Sequence, residues 1–312
     1  MKSLKIIITS ISALLLASAC NKSEVPGEGA SIVLDYSVSV PSPATKAIGD
    51  GSNVDKMVYA IYDDDKEVVC ETVIGRSSEG TFSFQPSLYY GKTYTVAMFA
   101  FADGAYDVTD ITAIKKSKDD QTSDAFAHTE TVMIDQDGAL YINGIKSSET
   151  TVSHSVTLTR PVAQLAIVTT SYSALESIGA KSIRITVGSD KHPYSAGSFN
   201  ALDHKVSSGA TSYTYVTSVD NLGKVGNEDN YIVSCNYLFS ISGLVDLKIE
   251  VLDSNGDEIR IIDLENVSLQ TNKKTNIQGN LVQGTLEFSV TLITTFDKNE
   301  DGIDNEKIID NQ

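Results

Sequence analysis

Apolar and polar residues alternate with a period of two along most of this chain. Residues 31–40 place Ile32, Leu34, Tyr36, Val38 and Val40 at every even position, the mark of a strand with one buried face. The run stops at Pro41 and Pro43, neither of which has an N–H to give a ladder. A lone basic residue, Lys46, follows in a stretch of small residues. The segment reads as an edge strand leading into an accessible connection. Similar short segments recur at 56–63, 81–86, 93–101, 139–145, 154–160, 164–170, 182–188, 231–241, 246–253, 258–264 and 285–296, separated by Gly, Asn, Asp and Ser. Strands without long helices between them predict an all-β fold of antiparallel sheets packed as sandwiches.

Local signals refine this outline. Asn255-Gly256 between two alternating runs predicts a tight hairpin in which both central residues take positive φ. Residues 173–179 predict one short helix, opened by a Ser173-to-Glu176 capping box and stopped at Gly179. Residues 115–130 lack strand periodicity and are expected to form a long surface loop. Pro161 interrupts one alternating run and starts another, which puts a domain boundary near residue 159. The expected organisation is two tandem β-sandwich domains, 31–158 and 159–296, followed by a tail at 297–312.

The amino end changes the picture from a plain sandwich to an exported one. Lys2 and Lys5, an apolar run from Leu4 to Leu16, and Ala17-Ser18-Ala19 make a signal peptide over residues 1–19. The run falls short of the ~20 apolar residues a membrane span needs. Cys20 directly after this leader is the expected lipidation site. Its acyl chains, palmitate among them, would anchor the protein by ~0.8 kcal/mol per buried CH₂, with residues 20–30 as tether. The alternative is ordinary cleavage after Ala19, leaving Cys20 a free thiol. The formal net charge is −17 over 312 residues, and two units more negative once Lys2 and Lys5 leave with the leader. Such a surface repels phosphate backbones and excludes nucleic acid as a partner. Cys70 and Cys235 lie in different predicted domains and read as small buried hydrophobes, not a disulfide.

Catalytic chemistry is largely missing. His128, His154, His192 and His204 form no His-Glu-x-x-His spacing, and there is no Gly-x-Ser-x-Gly elbow or phosphate loop. The chain therefore reads as no enzyme, with no cofactor and no resident metal. The Gly-x-Gly stretches at 27–29 and 49–51 read as turns, and His192 and His204 as surface-loop residues. Asp297, Asn299, Asp301 and Gly302 match positions of a calcium loop, but the twelfth position is Ile308, not a bidentate acid. The segment reads as an acidic tail. Tyr89, Tyr90, Tyr213 and Tyr215 could stack on sugars or face a host protein, or serve as cross-strand partners.

Residues 266–282, Asn-Val-Ser-Leu-Gln-Thr-Asn-Lys-Lys-Thr-Asn-Ile-Gln-Gly-Asn-Leu-Val, combine a strand, an Asn-x-x-Thr-Asn turn and a Gly-Asn-Leu exit. Together with 158–170, 87–101 and 123–130, this resembles the Bacteroides-type fimbrillin family, the subunits of type V pili and related cell-adhesion lipoproteins. The resemblance implies transthyretin-like sandwiches on the cell outer membrane. It also implies assembly into a fimbrium after a protease removes the first strand and a neighbouring pilus subunit fills the groove. By that resemblance Lys46 and Ala47 flank the processing site and 31–40 is the strand removed; the matching alternation of Leu286, Phe288, Val290, Leu292 and Phe296, interrupted by Thr294, makes 285–296 the candidate strand donated. An arginine-specific protease would not cut at Lys46, which would leave an unprocessed anchor, tip-like accessory or stand-alone lipoprotein. The other reading is a non-polymerising surface lipoprotein that binds glycan or calcium.

Overall fold

In a computed structural model the described residues are 22–24, 29–41, 51, 53–117, 123–147, 152–194, 196–209, 212–226, 229–239, 243–283 and 288–293. In the first half the strands are β1 (Lys22–Glu24), β2 (Ser31–Val33), β3 (Asp35–Ser39), β4 (Lys56–Tyr62), β5 (Val68–Gly75), β6 (Thr81–Tyr89), β7 (Lys92–Phe101), β8 (Tyr106–Asp107), β9 (Lys115–Lys116), β10 (Ala125–Ile134), β11 (Leu140–Ile142), β12 (Ile145–Lys146) and β13 (Ser153–Thr157). They build one sheet in the order β1-β6-β3-β13, with β2 also on β6, and a second in the order β12-β11-β10-β7-β4-β5. Strands β8 and β9 form a small separate ribbon.

The second half holds β14 (Val162–Thr169), α1 (Tyr172–Ser177), β15 (Ser182–Val187), β16 (Ala196–Asn200), β17 (Lys205–Ser208), β18 (Tyr213–Ser218), β19 (Gly223–Lys224), β20 (Tyr231–Phe239), β21 (Gly243–Leu252), β22 (Glu258–Leu269), β23 (Lys274–Gly279) and β24 (Ser289–Ile293). Its sheets run β19-β20-β14-β23-β24 and β18-β15-β21-β22, with β16-β17 as a ribbon. The all-β class read from the sequence is what the chain adopts. Pairing is mostly antiparallel, but β1 with β6, β13 with β3, and β14 with β23 are parallel. Parallel neighbours arise where the chain crosses between sheets before returning, which local periodicity does not encode.

Three apolar clusters hold the sheets together. One joins Leu34, between β2 and β3, Tyr36 and Val38 of β3, and Phe82 and Phe84 of β6 to Met57, Tyr59, Ile61, Val96 and Met98 of the facing sheet. A second fills the later half, around Leu165, Ile167, Ile185, Leu247, Ile249 and Ile277. The third lies between the halves. Val58, Ala60, Phe99 and Phe101 turn the other face of β4 and β7 toward Val162, Phe199, Tyr237 and Phe239. The sheet containing β4, β7 and β10 is therefore covered on both sides, and its strands are continuously apolar where both faces are dry. This corrects the expected surface loop at 115–130: Ala125, Phe126 and Ala127 are buried in β10, and burial on both faces erases the alternation that would have identified the strand.

Two turns also differ from expectation. In the β21–β22 hairpin only Gly256 has positive φ, at 83°, and Asn255 does not. Asp253 Oδ1 accepts from the Asn255 and Asp257 N–H groups at 2.8 and 2.9 Å. Asp63 and Asp135 organise the β4–β5 and β10–β11 hairpins in the same way, with Lys66 and Gly138 taking the positive φ. An aspartate that satisfies two turn amides favours this longer hairpin over the two-residue kind. The Asn-Gly turn with both residues at positive φ is Asn143-Gly144, at 50° and 77°. Helix α1 ends before Gly179, at φ 77°, as expected, but its N-cap is Ser171 and no side chain caps it. Ser173 instead bonds Asp229 through its N–H and hydroxyl, so the capping box does not form.

Phe99 is fully buried and meets the rings of Phe101, Tyr106, Phe199 and Phe239 at 5.3 to 6.5 Å between centroids. Phe99→Ala would empty the junction between the halves and is expected to cost about 3–5 kcal/mol in urea denaturation. A loss below ~1 kcal/mol would mean the junction contributes little.

Candidate functional site

The alternation read in residues 31–40 is realised side chain by side chain. Leu34, Tyr36 and Val38 are fully buried, Val40 nearly so, and Ile32 packs at the margin of the same cluster. The strand is not at an edge, however. β3 pairs antiparallel with β6, Tyr36 opposite Phe84, and parallel with β13, Tyr36 opposite His154. Sequence period reports burial on a face; it carries no information on how many neighbours a strand has. Among the described residues every strand paired with β6 (β1, β2 and β3) precedes residue 41, and β13 pairs only with β3. The slot between β6 and β13 is therefore closed entirely by the amino-terminal segment.

At the centre of the slot sits a polar cluster that sequence reading missed. Glu130 on β10 points out of the facing sheet with its side chain 2% exposed. Its Oε1 accepts the Tyr36 hydroxyl at 2.7 Å, and its Oε2 accepts His128 Nε2 at 3.2 Å and His154 Nε2 at 3.0 Å. Three strands thus converge on one carboxylate. Burial alone would raise its pKa, but the hydrogen bonds from His128, His154 and Tyr36, helped by the charge of His154, outweigh it and hold the group at about 2. Burial, followed by the neighbouring Glu130 charge and its hydrogen bond, pushes the Tyr36 phenol well above its ordinary range. The Tyr36 ring stacks on Phe84 with centroids 4.4 Å apart and meets His154 edge-on at 5.3 Å. Tyr59 stacks on the other side of Phe84 at 4.0 Å. The available signal was His128 and Glu130 two residues apart, one face of a strand, within a segment read as loop.

The other candidate residues are dispersed. Cys20, Lys46, Ala47, Leu286, Thr294, Phe296 and the acidic tail lie outside the described residues. Cys70 is half-buried, and Cys235 is buried with Gln164 Nε2 donating to its Sγ at 3.2 Å. His192 is half-buried and its Nδ1 lies 2.9 Å from Asp246 Oδ1, while Ser189 Oγ donates to Asp246 Oδ2 at 2.6 Å. Serine and histidine both bind the aspartate, so this pins the 188–194 loop to β21 and is no nucleophile–base pair. His204 is exposed in a turn at φ 54°. No group of three or more His, Cys, Asp or Glu side chains among the described residues, the Glu130 cluster included, is arranged to hold a metal ion, and no helix among them is long and apolar enough to cross a membrane. Of the four tyrosines singled out, only Tyr90 is exposed, at 37%. Tyr89, Tyr213 and Tyr215 are half-buried, and Tyr215 shares a 2.9 Å hydrogen bond with Ser234.

At the carboxyl end of the described chain, β24 pairs with β23 alone and forms a sheet edge. Val290 is 48% exposed, and Phe288 packs partly over Gly279, where a Cβ would lie 2.6 Å from its ring.

A family model described as a family of unknown function, DUF6562, matches residues 26–310. No curated protein matches the chain. Similar solved structures include the tip fimbrial protein Mfa3 of Porphyromonas gingivalis, with 10% identity and a TM-score of 0.46 over 85% of this chain and 99% of that one. The fimbrial anchor protein Mfa2 of the same organism gives 12% and 0.45 over 85% and 100%. A fimbrial assembly protein of Parabacteroides distasonis gives 11% and 0.42 over 84% and 95%.

Glu130 sets a pH dependence with a definite sign. Its folded value of about 2 lies below the ordinary 4.5, so its stabilisation is complete above pH 4.5 and disappears as pH falls toward 2, a change on the order of 3 kcal/mol. Urea denaturation at pH 5 and pH 2.5 is expected to show a smaller acid loss for Glu130→Gln than for the unmodified protein. Equal losses would mean that Glu130 is not held ionised.

Proposed function

Because the chain belongs to DUF6562, a family of unknown function, its role must come from its own geometry, and we propose that it is a fimbrillin-like surface lipoprotein that works in cell adhesion by exchanging a strand. In this reading Cys20 carries the lipid that tethers residues 20–30 to the outer membrane. The sandwiches 31–158 and 159–296 are the two domains. A cut between Lys46 and Ala47 frees residues 31–40, and a strand from a neighbouring pilus subunit takes their place. Residues 285–296, whose described part is the edge strand β24, are the strand offered to the next subunit.

The observation that carries this reading is the pairing of β6 and β13. Each is joined to its sheet, among the described residues, only through strands that precede residue 41. Taking the segment away leaves two ladders unpaired and uncovers apolar walls. Four or five buried side chains at ~1.5–3 kcal/mol each amount to on the order of 10 kcal/mol. A slot with that much to regain favours a replacement strand, pairing backbone to backbone and side chain to pocket.

A second reading is favoured by a specific feature, the hold that Glu130 and Phe84 have on Tyr36. If that grip is permanent, the protein is a non-polymerising surface lipoprotein, binding glycan, calcium or a host protein through other surfaces. Mass spectrometry of the amino terminus of protein taken from cells separates the two. A mature form starting at Ala47 is the expected result for strand exchange. A population made up wholly of chains starting at acylated Cys20 would leave the anchored, unexchanged form.

A further inference from the structure

Resting on the strand-exchange reading, a finer question is which strand the slot accepts. Alternation and length are weak selectors, since many strands have both. The floor of this slot is not uniformly greasy. At the central inward position three groups outside β3 converge on one side chain: the Phe84 ring of β6 lies parallel to it at 4.4 Å, the His154 ring of β13 meets it edge-on at 5.3 Å, and Glu130 of β10 accepts a hydrogen bond from it at 2.7 Å. The positions two residues to either side, Leu34 and Val38, are fully buried among apolar neighbours.

We infer that the slot between β6 and β13 selects a strand carrying a tyrosine at the register of Tyr36, between two aliphatic residues, and that the chain's own carboxyl-terminal segment is a poor occupant. A phenylalanine there would keep the stacking but leave a buried anionic oxygen short of one donor. That asymmetry is costly because the carboxylate has already left water. The carboxyl-terminal segment can align Leu286, Phe288 and Val290 with Leu34, Tyr36 and Val38. It supplies the ring at the central position but lacks the hydroxyl from which Glu130 accepts. The partner whose strand enters this slot is thus a different polypeptide with an aliphatic-x-Tyr-x-aliphatic strand, and successive subunits around this one are not identical copies.

The test uses the full mature chain with a sequence-specific protease site placed within residues 42–50, cut after folding and incubated with labelled synthetic peptides. The peptides are residues 31–40, the same with Tyr36→Phe, residues 286–296, and the last with Phe288→Tyr. The expected result is that the native peptide exchanges in and binds about 10-fold or more tighter than the Tyr36→Phe and 286–296 peptides. Phe288→Tyr should recover part of that gap, and Glu130→Gln in the protein should narrow the Tyr/Phe difference. Equal binding of the Tyr and Phe peptides, or of 31–40 and 286–296, overturns the tyrosine selection while leaving strand exchange standing. If no peptide enters, including the native one, strand exchange itself falls and the inference falls with it.

Discussion

The structure depends on one strand having neighbours on both sides. An edge strand can leave with the loss of one ladder, and the sheet survives it. β3 joins β6 to β13, so its departure separates them and breaks the sheet rather than shortening it. The backbone groups of two strands would then need water or another chain, while Phe82, Phe84 and the facing Met57 and Ile61 would lose their cover. A central position is therefore what gives the segment its consequence. It both secures the strand while the chain is whole and makes a vacancy hard to tolerate.

The second half has the same arrangement without the same freedom. β14, its first strand, lies between antiparallel β20 and parallel β23, as β3 lies between antiparallel β6 and parallel β13. Every residue of β14 is buried, and Val162 belongs to the cluster between the halves. Just before it, Arg160 Nε lies 2.5 Å from Asp124 Oδ2, with the guanidinium 4.7 Å over the Phe126 ring. Burial pushes the Asp124 carboxyl up to about 6 against the opposing pull of Arg160. Such a pair adds specificity of docking more than net stability. Topology alone thus does not make a strand replaceable; what differs is that β14 is tied at its start to the junction, whereas β3 is preceded by β2, which pairs with β6.

What the sequence made legible follows from what period two encodes. In β3, β6 and β15 one face is buried and the other is not, and the burial alternates as the sequence does. β10 begins between two apolar layers, so Ala125, Phe126 and Ala127 give no alternation and the strand was invisible. The Asp253 turn was misread because the dipeptide Asn255-Gly256 is only part of the signal; the aspartate two residues earlier decides the geometry by taking two amides. The Glu130 cluster was illegible for a different reason. Tyr36, Glu130 and His154 are 94 and 24 residues apart, and only the packing of two sheets brings them together.

A carboxylate at the floor of an apolar slot raises the question of why the position is not simply a leucine. A wholly apolar slot would be filled as well by any alternating strand. An ionised group with His128 and His154 already donating to it leaves room for one more donor of defined reach. A strand that supplies it gains little over an apolar match, since the hydrogen bond replaces one lost to water. A strand that lacks it leaves a buried charge incompletely satisfied and is penalised heavily. In the strand-exchange reading, discrimination therefore comes from the cost imposed on the wrong occupant rather than from added affinity for the right one, and a single residue opposite Phe84 is enough to impose it.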